Sequence, residues 1–554
     1  MYTDARTLDN GKTLSTDICI IGAGPAGTTL AREFAGSPVR VLLLESGGEK
    51  ADHRIQQLSG GEITGDFTEP VENTHLRQLG GTANHWIIKM SDKQYGYRYA
   101  PLNHIDFEKR DAIPYSGWPI GRNDLDPYYE RVHSICKVGP YRYGPGHWET
   151  ERFKPLPLDS DRVVTDFFTF GPTRLFGHDF PREAAKAGNV GVLLHATVTE
   201  LLANDAGTAV ETAIIKTFNG KTIRVNARHF IIAAGGFQTP RLLLNSRNRF
   251  AHGLGNQHDV VGRYYIDHGL VPSGNLYPDD PTIINRLGLY DMRLMEGCSV
   301  LGKLSLAEKV MREEGLRNFC ATLFPMPEPH EVEAILSMKS IAVDLAGRKF
   351  PKQLPKHLIN MLRGGKHLVF MLNQKFRHGG TLMPGFGQGG WSKFDDNEKK
   401  YRRLELMAFV EQTPDPDNRV TLIEEKDELG APKIRVHYEW KEEDVRSIAR
   451  AQEIVWEELH QLRIGRIEPP DRPNGLPAVG SEGLHHLMGT TRMSDDPKYG
   501  VVDRNCTVHG IGNLHIASSS VFPTGGYANP TITILALALR LADHLKKDFQ
   551  GQPE

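Results

Sequence analysis

The chain has 554 residues, with 66 Lys and Arg against 68 Asp and Glu and a formal net charge of -2. That length rules out a single small module and suffices for two domains or one elaborate one, and the balanced charge offers no field for nucleic acid or an acidic substrate. Five scattered cysteines, Cys19, Cys136, Cys298, Cys320 and Cys506, lack metal-ligand spacing, so no metal site is expected and the pattern reads as a reduced, cytoplasmic interior.

At the N-terminus, Met1 to Arg6 lack the basic flank and apolar run of a secretory signal, and no apolar stretch approaches the roughly eighteen residues of a membrane span. A soluble, cytoplasmic protein is expected. The run Asp17-Ile18-Cys19-Ile20-Ile21 reads as a strand buried on both faces of a parallel sheet, and it leads into Gly22-Ala23-Gly24-Pro25-Ala26-Gly27. A helix to about Phe34 and a second strand, Val41-Leu42-Leu43-Leu44, closed by Glu45, complete a βαβ start. Gly22 serves the tight turn, Gly24 the close approach of a pyrophosphate, and Gly27 the packing of helix on strand, while Glu45 is placed to accept from a ribose hydroxyl. This order predicts a dinucleotide site and leaves flavin against nicotinamide open.

Later segments read as the same domain resumed. Val192 to His195 and the following Ala196 to Leu201 are strand-like, Val210 to Val225 predicts a hairpin around Asn219-Gly220, and Phe230 to Ala234 is a strand ending at Gly235-Gly236. Thr239-Pro240 is expected to start a helix through Leu244. From about Pro272 to Glu482 the character changes. Leu404 to Val410, Arg419 to Ile423 and Lys433 to Trp440 are expected in one antiparallel sheet, with an amphipathic helix over Glu442 to Leu462 lying on it. Arg348 to Arg377 carries Arg348, Lys349, Lys352, Lys356, Arg363, Lys366, Lys375 and Arg377 and no acid, interleaved with Leu and Met. A solvated helical insertion is the favoured reading of 345–380, ahead of a basic face for a membrane surface or an acidic electron-accepting partner. The C-terminal part, from Gly500 to about Lys547, supplies a short strand at Leu514 to Ala517 and a closing helix after Pro530.

The expected fold class is α/β, or α+β overall. A discontinuous Rossmann-like nucleotide domain spans 1–271, with 72–185 as an insert, and resumes at 483–554; a substrate domain of antiparallel sheet and helices spans 272–482. Two C-terminal residues stand out for chemistry. Asn529 before Pro530 is a good N-cap, and Pro530 suits the first helical position, so a polar amide and a helix dipole would point at one spot. If His486 reaches that spot, a general base and an electrostatic clamp sit together, as oxidation of an alcohol requires.

Arg77-Gln78-Leu79-Gly80-Gly81-Thr82-Ala83-Asn84-His85-Trp86 and the block from His486 to Ile534, together with Gly22 to Gly27, resemble the glucose-methanol-choline (GMC) oxidoreductases. The His-Leu-Met-Gly-Thr-Thr-Arg-Met run and the Asn-Pro-Thr at the C-terminal pair are similar to the pyranose 2-oxidase and bacterial glycoside oxidoreductase branch of that family. The resemblance implies FAD as cofactor, His486 and Asn529 as the catalytic pair, and oxidation of a sugar or glycoside hydroxyl by hydride transfer to flavin N5. It extends the cofactor set to Ser46, Arg77, Gly80, Gly81, Thr82, Asn84, Ala234, Pro530 and Thr531, with Asn84 at the ring edge and the backbone of Val198 at the adenine. His85 precedes Trp86 in a setting where the family can bond a histidine covalently to the flavin methyl group.

His485, next to His486, is expected to point the other way on an extended segment, and His268 is read as part of a structural turn. Neutral imidazole takes a hydroxyl proton near neutral pH, and the helix start at Pro530 suits negative charge on the flavin. The electron acceptor is oxygen or a redox partner. Alternative readings are a dehydrogenase for a non-sugar alcohol using a quinone or cytochrome, and a flavin-containing lyase of the same fold.

Overall fold

The computed structural model describes residues 2–86, 88–89, 95–378, 389–480 and 483–550. Residues 87 and 90–94 of the insert, 379–380 of the basic segment and the domain boundary at 481–482 lie outside the described residues.

Two large sheets organise the chain. In the first, Tyr2–Asp4, Val190–Leu194, Val41–Leu44, Thr13–Ile21 and Thr222–Ile232 lie parallel in that order. Ile18, Ile20, Leu43, Phe230 and Ile231 are fully buried, as the apolar runs require of strands covered on both faces. The helices Pro25–Glu33 and Thr531–Gln550 pack on each other and share this core through Leu30, Leu535 and Leu539. The hairpin at Asn219-Gly220 is present, with Val210–Lys216 antiparallel to Thr222–Ile232. Its second strand runs on through the stretch expected as a separate strand from Phe230. Residues 222–226 pair with the hairpin partner, and Phe230 to Ile232 pair with Leu514–Ile516.

The helix expected from Thr239 begins instead at Gly235 and ends at Asn245. Pro240 therefore lies inside it and cannot donate to the carbonyl of Gly236. The Thr490 hydroxyl donates to that carbonyl at 2.5 Å, so a side chain from the C-terminal segment replaces the missing helix bond.

The second sheet has nine strands, all paired antiparallel. Its order is Gly465–Glu468, Gly269–Pro278, Arg403–Val410, Phe319–Met326, Cys298–Leu306, Val163–Pro172, Tyr95–Tyr99 and Ile88–Lys89, with Arg293–Met295 on Cys298–Leu306. Strands between 88 and 172 therefore join a sheet expected within 272–482. Arg403–Val410 belongs here, but Arg419–Lys426 and Pro432–Tyr438 do not; they form a separate small sheet with Gly61–Gly65, which corrects the expectation of one common sheet. The reason is that Ile434 and Val436 bury their faces in a separate cluster with Phe67, Phe237 and Tyr265. The helix Glu442–Gln461 lies on the nine-stranded sheet, burying Ile448, Ala451, Ile454 and Val455 with Leu276, Leu304 and Leu406.

Candidate functional site

The parallel strands end together on one side of the first sheet, and the residues just past them form the wall of a long cavity. Gly22, Glu45, Ala196, Ala233, Ala234 and Ala517 all line it, which is where an open parallel sheet places a ligand. Counting the open space at its mouth, it spans about 1380 Å³. Of the residues expected to hold a cofactor, Gly22, Gly24, Glu45, Ser46, Arg77, Gly81, Thr82, Val198, Ala234 and Pro530 line this single cavity, and so does His486.

At the nucleotide end, two glycines are dictated by close approach. Gly22 has φ of +105°, and a Cβ there would lie 2.5 Å from the Ala233 carbonyl oxygen. A Cβ on Gly27 would lie 2.0 Å from the Gly22 carbonyl oxygen, so this glycine packs helix on turn and does not line the cavity. The helix Pro25–Glu33 opens at Gly24 with no side-chain cap, leaving its positive end toward the cavity. The Glu45 carboxylate accepts from the backbone N–H groups of Ala23 at 3.0 Å and Gly47 at 2.8 Å, and burial raises its pKa.

Arg77 is half-buried and donates to neutral oxygens, those of Ser59 at 2.7 Å, Ser46 at 3.2 Å and Gln238 at 2.5 Å. Burial, then the neighbouring Arg241, push its pKa down to about 10. Arg241 itself pairs with Asp427 at 2.6 Å. An uncapped helix end and, on the same cavity wall, a guanidinium whose hydrogen-bond partners are neutral suit the diphosphate of a dinucleotide, and Glu45 suits its ribose. The residues present therefore fit FAD.

At the other end the two histidine segments are held side by side. Ile266 and Met488 form an antiparallel bridge, with N–H to O distances of 3.1 Å in both directions. Asp267 accepts from the backbone N–H groups of His268 at 2.7 Å and His486 at 2.9 Å. Burial raises the Asp267 pKa to about 6. The imidazoles of His268 and His486 meet through their Nδ1 atoms at 2.7 Å, and His268 Nε2 lies 3.2 Å from the Gly525 carbonyl oxygen. His486 Nε2 lies 3.0 Å from Asn529 Nδ2.

These contacts fix the tautomers. The Gly525 carbonyl only accepts, so His268 carries its proton on Nε2 and accepts at Nδ1. His486 must then donate from Nδ1, which leaves its Nε2 lone pair to accept from the Asn529 amide. Burial, then the neighbouring His268, Arg98 and His485, hold the His486 pKa well below the ordinary imidazole value. Burial also pulls His268 down to about 4. Both rings are thus neutral near neutral pH, and the Nε2 of His486 is suited to take a proton from a hydroxyl.

Several expectations change here. The Asn529 side chain does not cap the closing helix; its amide turns to His486, and the helix starts at Thr531, with the Pro530 carbonyl accepting from Ile534 at 2.9 Å. Thr531 is buried outside the cavity wall. His485 and His486 both line the cavity, because His485 has φ of +58° and the segment is not extended there; His485 Nε2 meets Glu69 at 2.5 Å. Asn84 gives its amide to the carbonyls of Leu79 at 3.1 Å and Gly81 at 3.0 Å, bracing its own turn. Gly80 donates to the Ala23 carbonyl at 2.8 Å, tying this turn to the glycine-rich loop.

His85 is exposed and off the cavity wall, while Trp86 lines it. The sequence reading missed His268 as a partner of His486, and it missed Arg98. Arg98 is half-buried and lies over the rings of Phe409 at 4.4 Å and Phe168 at 4.7 Å, close enough to His486 to disfavour its protonation. The adjacent Asp267-His268 dipeptide is the one sequence signal that could have raised the first.

Comparison with known proteins agrees with this geometry. Residues 17–336 match the family of FAD dependent oxidoreductases, and residues 414–538 match the GMC oxidoreductases. The chain is 23% identical to the fructose dehydrogenase large subunit of Gluconobacter japonicus over 98% of this chain and 99% of that one. It is 24% identical to the 2-methyl-1,2-propanediol dehydrogenase of Mycolicibacterium austroafricanum over 96% of each, and 24% identical to the paromamine 6'-oxidase of Streptomyces fradiae over 96% of this chain and 92% of that one. The formate oxidase of Aspergillus oryzae has a similar fold, with a TM-score of 0.51 at 16% identity over 98% of this chain and 100% of that one. The chain belongs to the FAD-dependent oxidoreductases, and its C-terminal region is that of a GMC oxidoreductase.

Proposed function

We propose that the protein oxidises a hydroxyl of a sugar or glycoside to a carbonyl, with His486 as the base and Asn529 as the group that holds the reacting oxygen. The observation that carries this reading is the directed chain from Gly525 through His268 to His486 and Asn529, which leaves one imidazole lone pair beside one amide. FAD, when bound, supplies the acceptor for the hydride. In the geometry described, the amide occupies the lone pair of Nε2. A substrate hydroxyl donating to Nε2 takes that place, and the two N–H bonds of the Asn529 amide let it donate to the same oxygen. The hydroxyl proton passes to Nε2 as hydride leaves the carbon, so the alcohol loses two electrons and two hydrogens in all.

The names of a fructose dehydrogenase and a paromamine oxidase among full-length relatives support a carbohydrate substrate. A second reading, a non-sugar alcohol, is favoured by the propanediol dehydrogenase. The test is anaerobic bleaching of the bound flavin over monosaccharides, glycosides, aminoglycoside-like sugars and simple diols. Sugars or glycosides are expected to bleach it; bleaching by diols alone refutes the carbohydrate reading, and bleaching by none refutes oxidation and leaves the lyase. Return of the oxidised spectrum in air-saturated buffer then assigns the acceptor, quickly for oxygen and slowly for a quinone or cytochrome.

A further inference from the structure

The basic segment forms two helices, Leu354–Arg363 and Gly365–His378, that follow directly on the helix Pro329–Ala346. Of the twelve large apolar residues exposed among the described residues, nine lie between Leu336 and Phe376. Phe350, Leu362 and Phe376 are 81%, 82% and 86% exposed. The helix Leu354–Arg363 buries none of its residues, although Leu358, Ile359 and Leu362 share one face by their spacing. A solvated insertion, the reading favoured by the sequence, would turn such a face inward. Among the described residues, none of the eight cations from Arg348 to Arg377 has an acidic partner within ion-pair distance, and 345–380 contains no acid. The Lys339 ammonium is disfavoured first by burial and then by Lys375, so positive charge is crowded there.

We infer that this insertion rests on an anionic lipid bilayer, with Phe350, Leu362 and Phe376 dipping into it and the surrounding lysines and arginines on the headgroups. Charge complementarity selects this occupant. A second copy of the same face would set cation against cation across a two-fold contact. Apolar side chains that stand almost fully clear of the surface suit a fluid interior better than a fitted protein partner, and cations flanking them are what an interfacial helix presents to acidic headgroups. The contact is peripheral, because among the described residues no helix is long and apolar enough to cross a membrane. The inference does not rest on the proposed reaction.

The test is co-sedimentation of the FAD-loaded full chain with phosphatidylglycerol–phosphatidylcholine vesicles and with phosphatidylcholine vesicles. The protein is expected to pellet with the first and stay in solution with the second, and to be released by salt. At about 1 kcal/mol for each cation near the surface, Lys349→Ser/Lys352→Ser/Lys356→Ser should weaken partition about a hundredfold. Phe350→Ser/Leu362→Ser/Phe376→Ser should abolish pelleting while keeping the bound-flavin spectrum and the rate of flavin reduction. Three results overturn the inference: wild type staying in solution with anionic vesicles, the apolar variant pelleting like wild type, or an oligomer in solution that this variant converts to monomer. The last would mean that a second copy covers the face.

Discussion

Replacing His268 by Phe keeps an aromatic ring in a fully buried position and removes the acceptor that orients His486. The Nδ1 proton of His486 then has no partner, and leaving a buried donor unpaired costs about 1–3 kcal/mol. The other tautomer escapes that cost, but it carries its proton on Nε2 and presents no lone pair to the substrate. At about 1.4 kcal/mol per tenfold, the reactive tautomer falls about fivefold to 150-fold, and flavin reduction should slow by the same factor. Anaerobic stopped-flow with a bleaching substrate measures this, with the visible spectrum reporting that flavin remains bound. His268→Asn returns an oxygen near the position of Nδ1 and should recover most of the rate, which a loss of packing alone would not allow. A wild-type rate in the Phe variant, or no gain from Phe to Asn, refutes the relay.

Other consequences follow from the same geometry. Arg98→Met removes a nearby cation that disfavours protonation of His486, so the His486 pKa should rise and the acid limb of the flavin-reduction pH profile should move to higher pH; an unmoved limb contradicts the electrostatic role. Thr490→Val leaves the Gly236 carbonyl without the donor that Pro240 cannot supply, and thermal or urea unfolding should show a loss of about 1–3 kcal/mol. Because His85 is exposed and stands off the cavity wall, acid precipitation should release the flavin into the supernatant; yellow colour retained in the washed pellet would establish a covalent bond instead.

The nucleotide half of the molecule is legible from short-range rules. A buried strand, a tight glycine turn, a helix and an acid within one stretch leave few alternatives, and the cavity forms where those strands end. The C-terminal histidine segment is legible in part, since His486 and Asn529 do meet, but the cap expected of Asn529 is absent because its amide is drawn to the imidazole. What local pattern does not carry is pairing at long range. His268 and His486 are 218 residues apart and meet only because Ile266 and Met488 bridge. Arg98 reaches the site from a strand of the second sheet, and the split of 403–438 between two sheets follows from which apolar face each strand buries. The Pro240 helix shows the same limit: its start was misplaced because its missing bond is made by Thr490, 254 residues from Gly236.

The most direct measurement is anaerobic flavin reduction by His486→Ala, with bound flavin confirmed by its absorbance. A positioned general base contributes roughly 10²–10⁴-fold, so the rate should fall by about that factor while the flavin stays bound. Reduction at the wild-type rate would show that His486 does not take the hydroxyl proton.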